Sequence, residues 1–154
     1  MTEMVKNIEF FDFYLTLIRV LKIVEIFKAK EKFHLTGKKI VMFDFYMRFP
    51  FMTEEERKRQ NFDEKYAFYF MKPNYSLYDA VLSILVSKKM ISYSTNTYHI
   101  EQYGEKALKN MECEYMSSLS KAGEYILHNV IKMSDKKINE DIIDRSKNVW
   151  EGQY

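Results

Sequence analysis

The sequence predicts a mainly α fold with one small antiparallel β-hairpin. Three observations carry that reading. Four Gly and two Pro in 154 residues leave few chain breaks, which favours long helices and few tight turns. Apolar residues recur at helical spacing over most of the length. One stretch departs from that pattern: two short runs rich in Tyr, Ile, Thr and Ser, residues 91–94 and 98–101, flank Thr95-Asn96-Thr97.

The elements follow in order. Residues 6–30 repeat Ile8, Phe11, Leu15, Ile18 and Leu21, then Val24 and Phe27, which predicts a long amphipathic helix. Asp12, Arg19, Lys22 and Glu25 fall on its opposite face. In residues 34–50, Thr36 suits an N-cap, and Ile40, Phe43 and Met47 line one side. Pro50 lacks an N–H and restricts Phe49, so this helix must stop near Phe49. Residues 51–72 form a charged connector in which Thr53 and Glu56 fit a capping box. Arg57, Lys58 and Arg59 sit there beside Glu54, Glu55 and Glu56, a self-neutralising solvated face rather than a phosphate site.

Ser76 and Asp79 form a second capping box after Pro73-Asn74, and Leu77, Val81, Ile84 and Leu85 make the buried stripe of the helix that follows. Asn96 tolerates the positive φ that the hairpin turn needs. A helix resumes at Tyr103 with Ala107, Leu108 and Met111. Leu119, Ala122, Ile126 and Val130 share a face of the next one. Ser134 marks a break before a last helix with Ile138, Ile142, Ile143, Val149 and Trp150.

The expected organisation is a single domain over 1–154, with a core at about 8–110 and a helical extension over 111–154. The order helix, helix, helix, hairpin, helix is that of a winged helix. Two strands alone are marginal in water, so this hairpin has to pack on the helices before and after it. Its exit, residues 98–108, resembles the end of bacterial winged-helix domains, where a strand runs into a helix start containing Gly, here Gly104.

Composition narrows the function. A net charge of +2 from 24 basic and 22 acidic residues does not announce nucleic-acid binding. A groove-reading third helix needs Arg, Lys, Asn or Gln facing outward. The outward positions are read as Tyr78, Asp79, Ser83, Val86 and Ser87, with only Lys88 and Lys89 basic at the end. The wing, residues 93–98, holds no Arg or Lys for phosphates. Twelve Tyr, twelve Phe and one Trp are too many to hide, and Tyr93, Tyr98 and Tyr103 suit a protein surface.

No catalytic chemistry emerges. His34, His99 and His128 have no ligand-type spacing, so neither metal nor cofactor is expected. No phosphate loop or nucleophile elbow occurs. Cys113 lies between Glu112 and Glu114, the opposite of the electropositive setting of a reactive cysteine. A lone Cys fits a cytoplasmic setting, and the charges spread through the first helix exclude a signal peptide or membrane span. The expectation is a non-enzyme.

The motif Asp44-Phe45-Tyr46 with Arg48-Phe49-Pro50 ends an apolar helix, and residues 76–91 and the wing follow after a connector. This pattern, over roughly residues 8–110, resembles the middle components of bacterial ABC-three-component systems, the group that includes the Lamassu anti-phage systems. The resemblance implies a non-catalytic adaptor bridging an SMC/ABC-like ATPase and an effector, often a nuclease, of the same operon. It implies partner contact through Phe43, Asp44, Tyr46, Arg48, Phe49, Pro50 and Phe51, beside Tyr93, Tyr98 and Tyr103 of the wing and its exit. Asp44 and Arg48 can also simply pair at i, i+4, worth roughly 0.2–0.5 kcal/mol. The alternatives are a winged-helix DNA-binding transcriptional regulator and, more weakly, an antitoxin-like partner.

Overall fold

Helix α1 (Glu3–Ile26) leads into a 3-10 turn at Phe27–Ala29 in the computed structural model, which describes residues 3–48, 73–111 and 113–150. The remaining elements are α2 (Gly37–Arg48), α3 (Tyr75–Ser87), β1 (Ile91–Ser94), β2 (Thr97–Ile100), α4 (Gln102–Lys109), α5 (Glu114–His128), a 3-10 turn at Val130–Lys132, and α6 (Asp135–Trp150). The mainly α fold with one antiparallel hairpin is therefore observed, in the expected order. The connector 51–72, the helix end at Phe49-Pro50 and the capping box at Thr53 lie outside the described residues.

The chain divides into two units. One comprises Met1–Ile40 with Asn74–Cys113, the other Val41–Pro73 with Glu114–Tyr154. The division falls within α2 and assigns its later turns to the unit that holds the C-terminal helices.

In the first unit α1 packs on α3, α4 and β2, and β1 packs on α3. Val20, Leu21 and Val24 of α1 meet a core that includes Val81, Leu85, Ile91 and Leu108, all nearly inaccessible. Of the stripe read from helical spacing, Ile18, Leu21, Val24 and Phe27 are buried and Leu15 is half-buried, while Thr16, Val20 and Ile23, outside that stripe, are buried as well. Arg19, read as part of the polar face, is buried and donates to the Thr16 hydroxyl at 2.9 Å, which in turn donates to the Asp12 carbonyl at 2.8 Å. Lys22 and Glu25 do form an outer pair at 2.7 Å.

Helix α2 starts as expected: the Thr36 hydroxyl accepts from the Lys39 N–H at 3.2 Å. For α3 the cap differs. Asn74, not Ser76, is the N-cap, and its side chain accepts from the Leu77 N–H at 3.2 Å. The helix therefore begins earlier than the capping-box reading placed it, and its buried face rotates. Tyr78 and Leu82 join Val81 and Leu85 inside, while Ile84, assigned to the buried stripe, is exposed. Tyr78 is accordingly not an outward position.

The end of α3 is a Schellman motif. Lys89 N–H donates to the Val86 carbonyl and Met90 N–H to the Leu85 carbonyl, both at 3.0 Å, with Lys89 at φ 59°. The next two residues start β1. Its register with β2 pairs Ile91 with Ile100 and Ser94 with Thr97, so the turn is two residues long, one fewer than expected. Thr95 at φ 53° and Asn96 at φ 59° give it the positive-φ signature of a type I′ turn.

Gly104 fixes the other end of the hairpin. A Cβ built there would lie 2.3 Å from the Met90 carbonyl oxygen, 2.7 Å from Ile100 Cδ1 and 3.1 Å from Leu21 Cδ1. The Glu101 N–H donates to that same Met90 carbonyl at 2.9 Å. Only a residue without a side chain lets the first turn of α4 come this close to the base of the hairpin. The sequence-level cue at Gly104 thus has a direct steric cause.

In the second unit, Met116, Leu119, Ala122 and Ile126 of α5 are buried with Val130 and Ile138. Ser134 caps α6, its hydroxyl accepting from the Lys137 N–H at 3.2 Å. Of the apolar positions expected along α6, Ile138 is buried and Ile143 is exposed.

Candidate interaction surface

The two ends of the expected partner site behave differently. Tyr93 and Tyr103 project, with 52% and 62% of their surfaces accessible. Tyr93 stacks on Tyr98 with ring centroids 4.6 Å apart, and its hydroxyl donates to Asn96 Oδ1 at 3.3 Å. Tyr98 is half-buried, with its ring edge 3.8 Å from the Cβ position of Gly37. Burial, then the neighbouring Tyr93 and Asp79, raise its phenol pKa. Tyr98 is thus an anchor that holds the hairpin down, while Tyr93 covers it and remains available.

The rest of the exposed hairpin carries no Arg, Lys, Asp or Glu. Ser94, Thr95, Asn96 and His99 face solvent, and Thr97 is buried with its hydroxyl 3.2 Å from His34 Nδ1. On α3 the exposed residues include Asp79, Ala80, Ser83, Ile84, Val86 and Ser87, a face of small, apolar and acidic groups.

The motif on α2 corrects the sequence reading. Phe43, Asp44 and Tyr46 are buried, at 0%, 0% and 1% accessible, so their side chains present no docking surface here. Apolar spacing was enough to put Phe43 inside. The family resemblance implied partner contact at Asp44 and Tyr46, but both polar side chains lie inside, where such groups are found only when they are paired. Arg48 is half-buried, while Phe49, Pro50 and Phe51 lie outside the described residues.

Tyr46 is buried because its polar end is satisfied. Its hydroxyl donates to Asp141 Oδ2 at 2.5 Å, the same oxygen that accepts from Arg145 Nε at 2.8 Å. Arg145 also donates to the Tyr125 hydroxyl at 2.5 Å and lies 5.8 Å from the Tyr46 ring centroid and 5.4 Å from that of Tyr125. Burial, and then the hydrogen bond and negative charge of Asp141, push the Tyr46 phenol far above its ordinary range. Burial lowers the Arg145 pKa, but Asp141 and the two phenols outweigh it and leave it raised. This clasp joins α2, α5 and α6 within the second unit. Sequence reasoning missed it; the only available signal was Asp141 and Arg145 at i, i+4.

Among the described residues no group of three His, Cys, Asp or Glu side chains could hold a metal ion. Cys113 is exposed and free. No helix among the described residues is long and apolar enough to cross a membrane.

Comparison with known proteins gives a family match. The family model described as ABC-three component (ABC-3C) system Middle Component 2 matches residues 16–153, most of the chain and both of its units. No curated protein and no solved structure matches. The chain belongs to the Middle Component 2 family of ABC-three component systems.

Proposed function

We propose that this protein is a non-catalytic adaptor whose first unit is a winged helix turned to protein recognition. It joins an SMC/ABC-like ATPase to an effector subunit, with nuclease the class favoured, in a Lamassu-like anti-phage complex. Family membership supports a role inside a multi-component ATPase system. The observation that carries the rest is the pairing of an exposed hairpin without Arg or Lys with an α3 face of Ser83, Ile84, Val86 and Ser87. Such a surface has little to offer phosphates, which dominate nucleic-acid affinity. It offers apolar and hydroxyl groups of the kind that protein interfaces use.

Co-expression with the other components of its system tests the proposal. A stable complex should form and should weaken by roughly tenfold or more when Tyr93 and Tyr103 are both replaced by Ala, the usual scale for exposed aromatic anchors. Arg48→Glu tests the α2 motif separately: loss of assembly places Arg48 at an interface, and a lowered Tm with assembly intact makes it structural. Salt-dependent binding of the isolated chain to duplex DNA would support the transcriptional-regulator reading instead.

A further inference from the structure

The outer edge of β2 is only half covered. In an antiparallel pair, residues alternate between exchanging hydrogen bonds across the ladder and pointing their N–H and C=O outward. The Glu101 N–H bonds to the Met90 carbonyl, so the neighbouring pair, Ile91 and Ile100, points outward. The parity is confirmed two residues away, where the Tyr98 N–H reaches out to the Leu35 carbonyl at 2.9 Å. Residue 35 thus begins to pair with this edge, but the chain does not continue the pairing towards Ile100. Residues 30–33 instead fold into a turn, closed by the Phe33 N–H donating to the Lys30 carbonyl at 3.0 Å.

A cavity of about 210 Å³ lies where that strand would have continued. Val24, Phe27, Phe33 and Leu35 give it apolar walls, and Thr97, Tyr98, His99 and Ile100 of β2 line its edge. Phe27 and Phe33 stack there with centroids 5.0 Å apart. The exposed turn beside it carries Lys30, Glu31 and Lys32, of which Lys30 and Glu31 line the cavity together with Lys28. Lys28 is held by Glu105 at 2.5 Å, which leaves Lys30 and Lys32 in excess over Glu31.

We infer that this groove takes an extended segment of a partner protein, added as a short strand to the β2 edge at Ile100. The segment is apolar at the residue entering the groove and acidic beside it. An extended backbone is the ligand that satisfies an outward N–H and C=O on one residue, and the lysine rim favours acidic flanks. The inference rests on the adaptor reading in taking the partner from the other components of the same system.

The intact chain should be probed with an array of overlapping peptides tiled over those components and over its own sequence. We expect binding to segments of another component with an acidic residue next to an apolar one. Adding such a peptide should slow hydrogen exchange at the Ile100 amide roughly tenfold or more, as a new ladder bond does. N-methylation of the peptide amide at the paired position should abolish binding, and Lys30→Glu, an exposed change, should weaken it by roughly tenfold. Binding to no segment, binding to the chain's own peptides alone, or binding that leaves Ile100 exchange unchanged overturns the inference. In the co-expressed complex, an unprotected Ile100 amide sinks the groove alone and leaves the adaptor reading standing. Failure of the complex to form sinks both.

Discussion

The two units hold themselves together by different physics. In the first, the decisive contacts are made by the backbone and are local in sequence: the Schellman turn at Lys89, the type I′ turn, and the close approach at Gly104. In the second, side chains from α2, α5 and α6 form a chain of contacts: Tyr46 and Arg145 share the Asp141 carboxylate and Arg145 also reaches Tyr125, with Tyr46 and Asp141 95 residues apart. A backbone device tolerates almost any side chain except at one or two fixed points. A side-chain clasp depends on every member, because each unsatisfied group left behind is costly in a buried setting. The first unit can therefore vary its surface freely around a rigid hairpin, which suits recognition.

The contrast is broken most sharply at Gly104. Gly104→Ala places a methyl 2.3 Å from a backbone oxygen that cannot swing aside, so α4 or the hairpin base must move. A loss of at least about 3 kcal/mol is expected from denaturant unfolding, at the upper end of overpacking effects. Gly37→Ala is the control. Its Cβ meets only Leu82 Cδ1 at 3.7 Å and Tyr98 Cε2 at 3.8 Å, ordinary contacts. There the substitution should gain about 0.4–1 kcal/mol by restricting the unfolded chain. Equal effects at the two glycines would show that the close approach to Met90 does not hold the hairpin.

The second unit should fail at Asp141. Asp141→Ala leaves the Tyr46 hydroxyl and Arg145 without their shared acceptor, at an expected cost of about 2–3 kcal/mol. Tyr46→Phe removes one hydrogen bond and keeps the ion pair, so about 1 kcal/mol should be lost at neutral pH. The same variant has a distinct pH signature. The folded-state pKa of Tyr46 is raised above its ordinary value of 10.0, so the native state holds that proton after the unfolded chain has released it. Its stabilising contribution is complete below about pH 10 and falls as pH rises further. Wild-type stability should thus decline more steeply above pH 10 than that of Tyr46→Phe. Parallel declines would mean that this phenol does not stay protonated in the fold.

This division also explains which features were legible in the sequence. Helix periods, the Thr36 cap, the hairpin's position and the Gly104 cue are short-range patterns, and all lie where local chemistry decides. The shift of the α3 cap from Ser76 to Asn74 was a local misjudgement, since both residues are good caps and only geometry separates them. The burial of Asp44, Tyr46 and Arg19 was not legible, because a polar side chain goes inside only when distant groups satisfy it. The groove beside β2 was invisible for a related reason: it arises from a turn at residues 30–33 meeting a strand far along the chain.

The smallest effect sharpens the same comparison at Lys89. In the sequence, Lys89 is one of the two basic residues, with Lys88, at the end of the third helix. In the structure its backbone is the left-handed residue that closes α3, at φ 59°. A non-glycine residue in that conformation costs about 1–2 kcal/mol, part of which the Schellman hydrogen bonds offset. Lys89→Gly relieves the strain and loses some chain entropy in exchange, so a net gain of about 0.5–1 kcal/mol is expected in thermal or denaturant unfolding. Assembly with the partner components should be unchanged, because the substitution alters neither the hairpin tyrosines nor the β2 edge. If Lys89→Gly instead weakened assembly while raising stability, the cation itself would belong to a binding surface, and the end of α3 would have to be counted with the hairpin.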